Sequence, residues 1–343
     1  MRVVVSHLYL IESNVKVGFK QGEAIVTHLD DGSEQRLPFS SIEDVSVFGM
    51  AQLSTRFVRE CISSNVPVCY YSDDGHFFGS TNSFDRINPA RQKKQVYLTD
   101  DAGFCLGWAR TIIEAKIQNS LAMLETVRGL CELTDEDTKG LRHSLDNLRY
   151  AESVDAVLGF EGNAAKCYFK CLSKAVLPEE LRFSGRSSRP PKDPVNSMLS
   201  FGYSILYRNI IGAIERHGLH PYFAFMHKMK SGHAALASDL IEELRAPMVD
   251  KLVIDFVNSG EVSADDFTSN GTGAIYMNRE TIRNLTALLS RSMIKGSPYF
   301  LPYGDAKSYG FQVMLDKKID SAIEAIEAAD PAAYRPFLWE PES

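Results

Sequence analysis

A glutamate stands in the middle of an otherwise apolar helical stripe. Val154, Val157, Leu158, Ala164, Ala165, Tyr168 and Leu172 recur at three- and four-residue spacing, and Glu161 falls between Leu158 and Ala165 on that face. A carboxylate turned inward costs several kcal/mol unless it is protonated, paired or bound to a metal. Gly159 and Gly162 flank it, and glycine costs roughly 1 kcal/mol relative to alanine inside a helix. Their presence points to another backbone or a ligand coming close. Periodicity alone leaves two readings open, an ion pair with an arginine of a neighbouring helix or a metal ligand.

A second cluster follows the helix expected over 195–217. Gly218 and Pro221 stop that helix, and His217, His220, His227 and His233 fall within 17 residues, half of the eight histidines in the chain. The next helix, 234–245, carries Asp239, Glu242 and Glu243 at neighbouring helical positions, which gives it an acidic face. Zinc would favour two or three of the histidines and would not need an inward glutamate far upstream. Mg²⁺ or Mn²⁺ prefers carboxylate oxygens and water with at most a little imidazole, so one Glu, one His and one Asp would suit it. Taken singly, each histidine also reads as an ordinary, partly exposed polar residue.

Phosphate-binding groups are concentrated nearby. The Pro-, Gly- and Ser-rich stretch 182–194 carries Arg182, Arg186, Arg189 and Lys192 against one aspartate, and an arginine can fork onto phosphate. A flexible, solvated connector would have the same composition. Arg208, Arg216, Lys228 and Lys230 add charge beside the histidines. A local stripe is what a nucleic-acid partner requires here, because the chain as a whole has a formal charge of −7. Neither a GxxxxGK[ST] loop nor a dinucleotide-binding glycine fingerprint occurs, so nucleotide-driven chemistry has no support.

The elements that must position these groups form two blocks, α+β overall. Residues 1–83 read as a β-rich domain: short β-branched and apolar runs at 2–10, 15–19, 23–29, 34–39, 41–48 and 66–71, turns at Asp30–Ser33 and Asp73–Gly75, and one helix over 54–64. Residues 84–95 read as a polar linker. Residues 96–343 read as a larger, all-helical catalytic domain, with helices expected over 104–128, 135–147, 153–175, 195–217, 234–245, 247–259, 281–293 and 309–329. The six cysteines include no CxxC pair, which argues against a zinc ribbon or a redox motif. No apolar run approaches the ~18–20 residues of a membrane span, so the expectation is no membrane association and a cytoplasmic location.

Four stretches, taken together, resemble the CRISPR adaptation integrase family. They are Leu158-Gly-Phe-Glu161-Gly-Asn-Ala-Ala165, the run from Gly185 to Tyr203, Gly218-Leu-His-Pro-Tyr-Phe-Ala-Phe-Met-His227, and Leu236-Ala-Ser-Asp239-Leu-Ile-Glu-Glu-Leu-Arg-Ala-Pro247. Lys116-Ile-Gln-Asn119 and the β-rich start look like that family too. His220 stands where members often carry Asp, and Ala224 replaces a common Gly.

The resemblance implies a Mg²⁺ or Mn²⁺ site made by Glu161, His227 and Asp239, and so selects His227 from four candidates. It implies a metal-dependent DNA endonuclease and integrase that inserts short fragments as new spacers into a CRISPR array by 3′-hydroxyl transesterification. It also implies double-stranded DNA partners (donor fragment and repeat) and a homodimer through the β domains. A small ferredoxin-like subunit would bridge two such dimers into a heterohexamer. Arg182, Arg186, Arg189 and Lys192 are the expected DNA contacts, with Tyr207 an aromatic near the site. The rival expectations are a transposon-type integrase with the same core and a non-catalytic DNA-binding scaffold.

Overall fold

A computed structural model describes residues 7–12, 14–71, 77–81, 87–187, 190–269, 271, 273–293 and 310–340. The chain divides into two compact units, Met1–Arg86 and Ile87–Ser343.

The first unit holds two four-stranded sheets. One is a meander of β2 (Val15–Lys20), β3 (Glu23–His28) and β4 (Glu34–Pro38), with β6 (Gln52–Leu53) running parallel to β2 at its other edge. Gln21 and Gly22 both have positive φ, 54° and 79°, as a two-residue turn between paired strands requires. The other sheet places β5 (Asp44–Phe48) between β1 (His7–Leu10) and β7 (Val68–Tyr71), all parallel, with β8 (Phe77–Thr81) antiparallel at the edge. Helix α1 (Thr55–Ser63) is capped by Ser54, and its Phe57 and Cys61 join Val17, Ala24, Val45 and Val68 in the buried core. The turn expected at Asp73–Gly75 lies outside the described residues.

The second unit is mostly helical. Its first helix corrects the expected linker: Pro89–Leu98 is α2, started by the Asn88 side chain accepting from the Arg91 N–H with proline at the first turn. Arg91, Lys93 and Lys94 make its surface polar, yet Gln95 on the same helix is fully buried. The core helix is α3 (Ala102–Val127), which buries Trp108, Ile112, Ile113, Ile117 and Met123. Against it lie α4 (Asp135–Leu148), begun by a Thr134–Asp137 capping box, and α5 (Val154–Lys174). Then come α6 (Pro194–Arg216), α7 (Ala235–Ile241), a π-helical segment at Ala246–Asp250 that runs into α8 (Lys251–Asn258), α9 (Arg279–Ser292) and α10 (Phe311–Ala328). The unit is not all-helical, because β9 (Phe267–Ser269) and β10 (Ile275–Met277) pair as a short hairpin. Alternating residues in a run this short carry too little periodicity to announce a strand. Among the described residues no helix is long and apolar enough to cross a membrane.

Two close approaches fix the centre of this unit. A Cβ on Gly202 of α6 would lie 2.6 Å from Val249, so glycine lets the π-helical segment press against α6. The chain after α10 forms a strap across the segment that follows α7. Buried Glu243 accepts from the Tyr334 hydroxyl and the Phe337 N–H, both at 2.6 Å, and pairs with Lys318 Nζ at 2.5 Å. Asn119 donates to the carbonyls of Glu243 and Phe337 and accepts from the Trp339 N–H, which ties the strap to α3 as well. Removing one partner of a buried ion pair strands the other charge, at a cost of about 3–5 kcal/mol. Lys318→Ala is therefore expected to lower unfolding stability by about that amount in chemical denaturation, and a loss below about 1 kcal/mol would show that the pair is not the strap's anchor.

Candidate active site

Glu161 projects from α5 into a cleft of about 590 Å³ lined by Lys116, Glu161, Lys166, Lys170, Tyr203, Glu242 and Arg245 among others. Its partner is a lysine rather than an arginine: Lys116 of α3 makes an ion pair with Glu161 and lies 2.6 Å from Glu242 Oε2. Glu242, one turn beyond Asp239 and almost wholly buried, also meets Arg245 at 3.1 Å. Burial opposes its ionisation, but Arg245, Lys116 and His227 together hold its pKa down to about 2. Burial likewise opposes the charge on Lys116, and Glu242 and Glu161 more than offset it, which raises that pKa. Gly159 and Gly162 do not admit a close protein neighbour, since a Cβ on either would meet nothing within 4 Å.

His227 and Asp239 come together beside this cleft. Phe225 wedges against Phe104 and Trp108 with ring centroids 4.8 and 5.1 Å away, and Gln95 clamps the same loop by donating to the carbonyls of His220 and Phe223. So anchored, the loop aims the N–H groups of Phe225, Met226 and His227 at the Asp239 carboxylate, at 3.0, 3.1 and 2.9 Å. His227 Nδ1 lies 2.9 Å from Asp239 Oδ1. Burial disfavours charge on the ring, but the bond to Asp239, then its charge and that of Glu242, outweigh this and raise the His227 pKa. The other three histidines have different companions. His217 faces Asp316 and Asp320, His220 packs on Phe223, and His233 lies against Tyr207 and Ser238.

The geometry separates the carboxylates of this stretch. Asp239 is fully buried and already engages three backbone N–H groups and an imidazole, so it sits behind His227 rather than in the cleft. Glu242 lines the cleft, and Asp239, the ligand that the family resemblance implies, does not. The two carboxylates are three residues apart, and periodicity could not tell which one faces the opening. Among the described residues no three His, Cys, Asp or Glu side chains stand arranged as a ready metal cage. The donors nevertheless suit a hard divalent ion. Glu161 and Glu242 flank one cation, the Lys116 ammonium. An imidazole tied through Nδ1 to a carboxylate is the usual arrangement of a metal-binding histidine, with Nε2 left to coordinate.

The expected DNA contacts divide. Arg186 is turned inward: it bonds Asn196 Oδ1 at 2.7 Å and Ser200 Oγ at 3.0 Å and stacks on Tyr203, which Arg245 covers as well. Arg182 is exposed near Glu179, Lys192 is exposed, and Arg189 lies outside the described residues. Tyr207 donates to the Ala234 carbonyl at 3.0 Å and props the loop before α7. Exposed Lys166 and Lys170, five and nine residues beyond Glu161 on α5, line the cleft and were missed in the sequence. Their i, i+4 spacing beyond the E-G-N-A-A stretch was the available signal. Below them Asp250 accepts from the hydroxyls of Tyr203 and Tyr168, the latter at 2.7 Å.

Comparison with known proteins assigns the chain's kin. A sequence profile described as "CRISPR associated protein Cas1" matches residues 8–291. The CRISPR-associated endonuclease Cas1 of Mycobacterium tuberculosis (strain CDC 1551 / Oshkosh) is 37% identical over 95% of this chain and 95% of its own. The fold is shared with a casposase bound to integration product, at TM-score 0.81 and 22% identity over 99% of this chain and 96% of that one. It is shared too with a Cas6-RT-Cas1–Cas2 complex, at TM-score 0.79 and 23% identity over 98% of this chain and 36% of that one.

Burial raises the Asp250 pKa from 3.8 to about 6, against the pull of the two tyrosine hydroxyls, Arg245 and Arg186. Between those values the folded chain keeps a proton that the unfolded chain has released, so this group's contribution to stability declines as pH rises and is gone above about 6. Asp250→Asn does not titrate. Its melting temperature relative to wild type should therefore climb between pH 4 and pH 7, and a difference constant across that range would contradict the assignment.

Proposed function

The chain belongs to the CRISPR-associated Cas1 family, and from that premise we propose that it is a metal-dependent DNA endonuclease and integrase that inserts short duplexes as new spacers. The observation that carries this reading is the convergence of Glu161 and Glu242 on one cation in a cleft beside a histidine oriented by a buried carboxylate. Glu161, Glu242 and His227 Nε2 are the proposed ligands of Mg²⁺ or Mn²⁺. Asp239 is assigned the role of holding the His227 ring and its tautomer, with the Nδ1 proton directed at Oδ1.

The reaction is the attack of a 3′-hydroxyl of the donor on a phosphodiester of the repeat. One P–O bond forms, another breaks, and the proton of the attacking hydroxyl ends on the departing oxygen by way of solvent. When bound, a divalent ion lowers the pKa of the attacking hydroxyl and neutralises charge on the phosphoryl oxygens. The protein's own groups supply the frame. Arg245 keeps Glu242 ionised and aimed, Asp239 prevents His227 from rotating, and Gln95 and Phe225 hold the loop that carries both backbone and imidazole donors. Lys166 and Lys170 give the cleft a positive lip for the sugar–phosphate backbone, with Arg182 and Lys192 exposed on the neighbouring connection. With water in place of the 3′-hydroxyl, the same site performs nucleolytic cleavage.

The partners proposed are double-stranded DNA, a second copy of the chain joined through the β-rich unit, and a small ferredoxin-like subunit completing a heterohexamer. The Cas6-RT-Cas1–Cas2 neighbour supports a companion subunit, and the casposase bound to integration product supports strand transfer on this fold. That casposase likeness also sustains a transposon-type integrase as the second reading. Preference for a CRISPR repeat over the ends of a mobile element separates the two.

Strand transfer from a short duplex into a repeat-bearing plasmid, with and without the companion subunit, tests the proposal. Glu161→Ala, His227→Ala and Glu242→Ala should each abolish transfer while DNA binding persists. Asp239→Asn should lower activity about 10–100-fold, as loss of an outer-shell carboxylate does. Full activity in Glu242→Ala would refute its place in the ligand set. Lys166→Ala combined with Lys170→Ala should weaken DNA binding at every sequence and flatten its salt dependence by about two units of slope; an unchanged slope would remove them from the interface.

A further inference from the structure

The lysine between the two carboxylates has a position that simple structural pairing does not explain. Lys116 reaches from α3 to Glu161 on α5 and to Glu242 beyond α7, joining three separate segments at one point in the cleft. Its two carboxylate partners are not otherwise joined in the same way. Glu242 has Arg245 as a second cation, and Glu161 reaches into the opening with no second ion pair among the described residues. The ammonium lies 2.6 Å from Glu242 Oε2. Both contacts of the ammonium are with carboxylate charge, so a cation of higher charge can take the same place.

Lysine suits such a place better than arginine would. It is a compact point charge on a four-carbon stem with freely rotating donors, whereas a guanidinium forks rigidly onto carboxylates. The cleft of about 590 Å³ gives the stem room to swing aside. Two carboxylates facing one another without a cation between them would repel.

We propose that Lys116 is a tethered cation that occupies the place of the divalent ion between Glu161 and Glu242, keeps the pair together, and must be displaced for the ion to bind. The inference rests on the ligand set proposed above. Lys116 is thus a positioning residue that sets metal affinity by competition: the divalent ion enters as the ammonium leaves, and the net charge at that point rises by one. Once displaced, the ammonium remains tethered beside a cleft whose rim carries Lys166 and Lys170, where phosphate oxygens can receive it.

Mn²⁺ binding to the full-length protein, measured by calorimetry and by the electron paramagnetic resonance of free Mn²⁺, tests this. Removing a competing unit charge a few ångströms from the site should make Lys116→Gln bind Mn²⁺ at least about tenfold more tightly than wild type. Lys116→Arg should bind it no more tightly than wild type. Equal or weaker binding by Lys116→Gln, with its circular dichroism unchanged, overturns the inference. Wild-type protein provides a reading independent of any variant: amine labelling of Lys116, followed by mass spectrometry, should increase when Mn²⁺ is added, and labelling that stays level or falls overturns it. Glu161→Gln separates the two levels of the argument. If wild type binds Mn²⁺ and Glu161→Gln binds it equally well, the ligand set itself fails; if Glu161→Gln loses binding while Lys116→Gln gains none, the competition alone fails.

Discussion

Charge in the helical unit is buried in partnership, and the partnerships dictate where the backbone runs. Asp239 has no exposed surface, and a carboxylate so placed must be met from every side. The loop after α6 supplies three N–H groups and an imidazole, and it does so only because Phe225 is locked among Phe104 and Trp108 and because Gln95 holds the loop's carbonyls. His227 thereby takes one orientation. The neighbouring acidic residues solve the same problem with other partners: Glu242 with Lys116 and Arg245, Glu243 with Lys318, Tyr334 and the strap. One short stretch of chain, 239–243, therefore carries three carboxylates facing three different environments.

That division of labour connects packing to chemistry. The carboxylate with least access to the cleft orients an imidazole, the one beside the cleft is available to a cation, and the third is purely architectural. The strap and the π-helical segment hold the whole stretch from either side, the latter admitted by Gly202 and joined to α5 and α6 through Asp250 and the two tyrosine hydroxyls. A buried polar network of this kind contributes little to stability relative to an apolar core of equal volume. It joins the segment 243–250 to α3, α5, α6 and the strap.

Much of this was legible in the sequence. The helix expected over 135–147 is α4 to within a residue, the apolar stripe around Glu161 announced α5 to within a residue or two, and Asp30–Ser33 announced a turn. The inward carboxylate at Glu161 signalled a buried partner, and the partner proved to be Lys116. What the sequence concealed follows from its one-dimensional nature. Helix α2 was hidden by its polar surface, although Asn88-Pro89 is a helix start, because one of its two buried residues is a glutamine and only Leu98 is apolar. Arg186 looked like a surface cation until Asn196, Ser200 and Tyr203 enclosed it. The choice of Asp239 came from the family resemblance, and spacing did not separate it from Glu242, since helical neighbours share a face and only the packing of a distant loop reveals which one it covers.

The ligand assignment is tested most directly by the anomalous diffraction of crystals soaked in Mn²⁺. The account predicts a peak within coordinating distance of one oxygen each from Glu161 and Glu242 and of His227 Nε2, with Asp239 still bonded to the backbone of 225–227. A peak on the Asp239 oxygens, with Glu242 outside the coordination sphere, would contradict it.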